Sequence, residues 1–87
     1  MNIQFSKIVK ADGKLREFNF TRLSRQKHPL AFSVDVTDGS LHRICFDMLK
    51  ENDNWKIVQQ QIPRWVLENE NKLHVLIEEE LNEAAVA

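Results

Sequence analysis

One cysteine, three histidines and a few carboxylates are the residues of this 87-residue chain that could do chemistry. Cys45 stands between Ile44 and Phe46. A nucleophilic thiolate needs a base close by and an electropositive, accessible setting. In a strand, Cys45 points away from its apolar neighbours, with Arg43 beside it on the same side and His42 turned the other way. It reads as a small apolar filler. His28, His42 and His74 match no metal-ligand spacing, and His42 is expected at the rim of the buried face, opposite Val36. Asp35 and Asp47 share the opposite face and could in principle work as an acid–base pair. Arg43 is expected across from Asp35, however, so an ion pair is the better assignment. There is no glycine-rich phosphate loop, no Gly-x-Ser-x-Gly and no Cys-x-x-Cys. The residues therefore point to a non-catalytic protein without metal or cofactor.

Charge is the other chemical resource. Residues 1–27 hold seven Lys/Arg against two Asp/Glu, while residues 61–87 hold two against six. The chain is basic at its start and acidic at its end, with a net charge of −1. Two consequences are possible. Basic strands and an acidic helix can attract each other within one small domain. Alternatively, Lys7, Lys10, Lys14, Arg16, Arg22, Arg25 and Lys27 form a patch for a polyanion.

The elements that must position these groups are legible as alternation. Leu30, Phe32, Val34 and Val36 alternate with polar residues before Asp38-Gly39, and Ile44, Phe46 and Met48 do so after it. Period-two alternation around Asp-Gly is a hairpin signal with one buried face. A two-residue loop would put Arg43 and Asp47 on the apolar face, because a one-residue slip turns every side chain over. A three-residue Asp38-Gly39-Ser40 loop, or a bulge, instead pairs Val34 with Ile44, Phe32 with Phe46 and Leu30 with Met48.

A second hairpin is expected around Asp12-Gly13, pairing Phe5 with Phe20 and Lys7 with Phe18. Its face carries Ile3, Phe5, Val9, Phe18 and Phe20 with Lys7, Arg16 and Arg22 among them, which suits an edge hairpin whose basic stems lie over apolar surface. Residues 24–29 read as a connector, with Pro29 leading into the next strand. An Asn52-Asp53 turn brings in a last strand, pairing Met48 with Ile57 and Lys50 with Trp55. These pairings make a four- to five-stranded antiparallel meander in the order 1-2-3-4-5.

One face of such a sheet needs a cover. Val66, Leu73, Ile77, Leu81 and Ala84 share a helical stripe, with Leu76 at its margin and Glu68, Lys72, Val75 and Glu79 outside it. Asn69 is the favoured N-cap. The helix is placed at about 68–83, with a start as early as 64 as the alternative because Pro63 suits a first helical turn; otherwise 63–67 is an arm whose Trp65 plugs one end of the core, and 84–87 is a loose tail. Glu78, Glu79, Glu80 and Glu83 sit where the helix dipole disfavours acids. That end should fray unless basic side chains from the sheet reach it.

The whole chain, residues 1–87, is thus read as one α+β domain: an antiparallel meander packed on a C-terminal helix. At 43% hydrophobic and 29% charged it suits a globular, water-soluble protein. A lone cysteine, no secretory leader and no apolar run of membrane length suggest the cytoplasm and no membrane association. The expected role is a small interaction module with a protein partner, or a second copy, at its outer sheet face or an edge. Its outer surface would carry Ile8, Leu15, Leu23 and an Ala31/Ser33/Cys45 strip. The alternative is nucleic-acid or polyanion binding. Four strands followed by a helix resembles the layout of small single-strand nucleic-acid binders, and Trp55, Trp65 and five phenylalanines could serve as stacking platforms. The aromatics, however, are needed for the core.

Overall fold

The computed structural model describes residues 3–23, 31–38, 42–58 and 61–86, with only the backbone of 84–86. Five strands, β1 (Gln4–Ala11), β2 (Lys14–Leu23), β3 (Ala31–Thr37), β4 (Arg43–Glu51) and β5 (Asn54–Ile57), form one antiparallel sheet in chain order. A single turn of helix, α1 (Arg64–Leu67), precedes the 17-residue α2 (Glu70–Val86). The α+β meander read from the alternation is the fold of the protein.

Two tight turns set the outer hairpins. Asp12 and Gly13 have φ of 53° and 74°, and Asn52 and Asp53 have 49° and 69°. Positive φ at both central residues matches the right-handed twist of the flanking strands, and Asn, Asp and Gly tolerate it best. Phe5 accordingly pairs with Phe20 and Lys7 with Phe18, while Met48 pairs with Ile57 and Lys50 with Trp55, as expected.

The central hairpin departs from expectation by two residues. Val34 pairs with Phe46, Val36 with Ile44 and Phe32 with Met48. Asp38, just past the end of β3, is paired with His42 across the hairpin. Its N–H donates to the His42 carbonyl at 2.9 Å, and its Oδ1 accepts from the His42 N–H at 3.0 Å. A shift of two keeps every side chain on its face, so the alternation could not reveal it. His42 is consequently exposed at the strand end beside Asp38, not opposite Val36. Leu30, Gly39 and Ser40 lie outside the described residues.

The core lies on one face. Val9, Phe18, Phe20, Phe32, Val34, Val36, Phe46, Met48 and Trp55 from the sheet meet Val66, Leu73 and Ile77 from the helices. Phe5 stacks on Phe20 at 4.6 Å between centroids, and Phe32 meets Trp55 edge-on at 5.2 Å. The arm at 63–67 is a helical turn, with the Val66 N–H donating to the Pro63 carbonyl at 3.0 Å. Asn69 precedes α2 as expected and its carbonyl accepts from Leu73. Its side-chain amide donates to the Trp65 carbonyl, tying the two helices together. The helix runs to Val86, three residues past the expected end.

The turns make a test of opposite signs. Nothing approaches within 4 Å of a Cβ built on Gly13, so Gly13→Ala meets only the left-handed backbone penalty. It should lower stability by about 1–2 kcal/mol. Asp53→Gly relieves the same conformation at φ 69° and should raise stability by about 0.5 kcal/mol, net of the added freedom of the unfolded chain. Urea denaturation measures both.

Candidate interaction surface

The charge asymmetry of the chain is used first inside the fold. Three sheet lysines each meet a glutamate of α2: Lys56 with Glu70 at 3.7 Å, Lys50 with Glu78 at 3.3 Å and Lys7 with Glu80 at 3.6 Å. The attraction between strands and helix is therefore realised, and the acidic end of α2 receives the basic side chains it needs. Each partly exposed pair contributes about 0–1 kcal/mol, so together they orient the helix more than they hold it.

Of the seven basic residues expected as a patch, the five that are described are divided between the two faces of the sheet and the β1–β2 turn. Lys7 is on the inner face, paired to Glu80. Arg16 is also turned inward, with its guanidinium 4.4 Å from the centre of the Trp65 ring. Its Nε donates to the Ala11 carbonyl at 3.0 Å, and Asp12 lies 3.7 Å from Nη2. Such stacking uses the apolar stem and the charge together. Arg22 is half-buried opposite Phe32. Lys10 and Lys14 are exposed near the β1–β2 turn. Arg25 and Lys27 lie outside the described residues.

On the outer face a polar row crosses four strands. The Ser6 hydroxyl donates to Asn19 Oδ1 at 2.6 Å, Asn19 Nδ2 donates to Asp35 Oδ1 at 3.0 Å, and Arg43 Nη2 donates to Asp35 Oδ2 at 3.0 Å. The expected Asp35–Arg43 pair forms, diagonally, because Cys45 is the residue directly across from Asp35. The hydrogen bond from Arg43 and the charge of Asp35 raise the Arg43 pKa further, so the guanidinium stays charged. A shallow depression of about 340 Å³ lies over Ser6, Asn19, Thr21, Asp35 and Arg43. Cys45 is an exposed free thiol here, not a packed filler. Ala31 is fully buried and does not belong to the outer surface, whereas Ile8 and Leu15 are 64% and 75% exposed.

The outermost strand β5 ends against side chains. Val58 N–H donates to the Asp47 carbonyl, so the amides of Trp55 and Ile57 point away from β4. The Trp55 N–H donates to His74 Nδ1 at 3.0 Å and the Ile57 N–H to Glu70 Oε2 at 2.9 Å. Glu78, one further turn along, accepts from the Trp55 indole at 3.1 Å and from Lys50. Reading the three histidines as scattered missed this stripe, yet its signal is in the sequence: Glu70, His74 and Glu78 at intervals of four. Burial pushes the Glu78 carboxyl up. The hydrogen bonds from Trp55 and Lys50 and the charge of Lys50 outweigh it and hold the pKa below the ordinary glutamate range.

Two outcomes follow. Glu70→Ala should speed amide exchange at Ile57 and His74→Ala at Trp55, each without affecting the other's site, as read by NMR. A depressed carboxyl pKa stabilises the fold above its unfolded value, and that stability is lost as pH falls through the folded value. Glu78→Gln should therefore lower the thermal midpoint near neutral pH, with the gap to wild type closing below about pH 4. A gap that stays constant with pH would refute the assignment.

Among the described residues no helix is long and apolar enough to cross a membrane, and no three His, Cys, Asp or Glu side chains are grouped to hold a metal. No protein-family model matches the chain, and neither the curated proteins nor the solved structures contain a significant match to it.

Proposed function

We propose that the protein is a small non-catalytic interaction module whose working surface is the outer face of the sheet beside β1. The observation that carries this reading is the pair Ile8 and Leu15, diagonal neighbours on that face and the two most exposed large aliphatic side chains described. Apolar groups side by side in water, bordered by a polar row, are what a protein partner covers. A cytoplasmic setting suits the exposed free thiol of Cys45. The polyanion reading has less support. Every aromatic ring belongs to the core or packs against it, and Lys7 and Arg16 are engaged on the inner face.

The test is the double variant Ile8→Ser/Leu15→Ser against wild type. Both positions are exposed, so the thermal midpoint should shift by no more than about 0.5 kcal/mol equivalent. Proteins cross-linked to wild type in cells should be lost from the double variant. Light scattering on the two forms shows whether the partner is a second copy. An identical set of cross-linked proteins and an unchanged mass would refute the reading.

A further inference from the structure

The two edges of the sheet end differently. At β5 the outward amides of Trp55 and Ile57 are taken by His74 and Glu70. At β1 the Arg22 N–H donates to the Ile3 carbonyl at 2.9 Å, which fixes the odd-numbered residues of the strand as those bonded to β2. The N–H and C=O groups of Gln4, Ser6, Ile8 and Lys10 therefore point away from the sheet. Among the described residues none of these groups has a hydrogen-bond partner. An unpaired edge of this kind is a template for another strand.

We propose that the β1 edge takes up an extended acidic segment of a partner protein as a sixth strand; this rests on the interaction-module reading and names its partner. Charge decides between occupants. Residues 4–23 carry five Lys/Arg and two Asp/Glu, net +3. A second copy would bring two such hairpins edge to edge, and lysines on an edge are a known device against self-pairing. An acidic strand meets the same charge favourably. Lys10 and Lys14 are exposed with no ion pair among the described residues, while Lys7 and Arg16 already have theirs. The side-chain row Gln4, Ser6, Ile8, Lys10 then sets the partner's chemistry. It needs an aliphatic residue across from Ile8 and a carboxylate two positions on, facing Lys10.

The experiment uses three labelled synthetic octapeptides of the pattern Val-Thr-X-Thr-Val-Thr-X-Thr, with glutamate, glutamine or lysine at X, so that valine and X stand two positions apart on one face. Anisotropy should rank them glutamate, glutamine, lysine, with about a tenfold or greater difference between the extremes that shrinks with salt. On saturation with the glutamate peptide, NMR amide exchange should slow about tenfold or more at Ser6, Ile8 and Lys10. Lys10→Glu should reverse the ranking. Ser6→Pro removes one outward N–H at a position where an edge strand accepts proline, and should abolish binding, while Ser6→Ala should not. If Ser6→Pro does not fold, exchange on wild type decides. No slowing at those amides, equal binding of all three peptides, or protection that grows with protein concentration alone overturns the proposal; the last would mean a second copy. Cellular partners lost in Ile8→Ser/Leu15→Ser but kept in Ser6→Pro would remove the edge and leave the module reading standing.

Discussion

A single helix has to serve this sheet twice. Leu73 and Ile77 of α2 fill the core under the strands, and the next face of the same helix must finish the β5 edge. Both are possible because 3.6 residues per turn put Leu73 and Ile77 on one stripe and Glu70, His74 and Glu78 on the stripe beside it. The helix packs where its apolar stripe is buried, and this seats the polar stripe against two backbone amides that would otherwise lack partners. Glutamate and histidine side chains replace the strand that is not there.

The uneven charge along the chain follows from the same arrangement. The acidic helix runs from β5 towards β1 past three lysines, Lys7 and Lys50 on the inner face of the sheet and Lys56 at its β5 edge. Lys56, Lys50 and Lys7 meet it in order along its length. Of the basic residues early in the chain, Lys7 is engaged by this pairing and Arg16 by its stacking on Trp65. Lys10 and Lys14 are exposed near the β1–β2 turn, beside Ile8 and Leu15.

The molecule is therefore asymmetric in the property that matters for association. One edge is terminated by its own helix and the other presents main-chain groups to solvent. The outer face between them is cross-linked by the Ser6–Asn19–Asp35–Arg43 row, which bridges four strands. A surface of that kind would give a rigid border to the contact proposed at the β1 side.

Alternation and turn chemistry by themselves determined the fold class, the strand order, the face of the large buried side chains and the outer hairpin registers. Asp12-Gly13 and Asn52-Asp53 tolerate one backbone conformation that few other pairs do, so they leave no choice of offset. At Asp38 the residue types allow the loop to begin or the strand to continue. Both offsets bury Phe32, Val34, Phe46 and Met48, so local pattern is silent; the hydrogen bonds between Asp38 and His42 settle it. The division of labour among charges was also beyond the sequence. Whether Lys7 meets solvent or Glu80, and whether His74 is idle or caps β5, depends on where one helix lies across five strands. Long-range packing of apolar groups decides that, and the polar contacts follow.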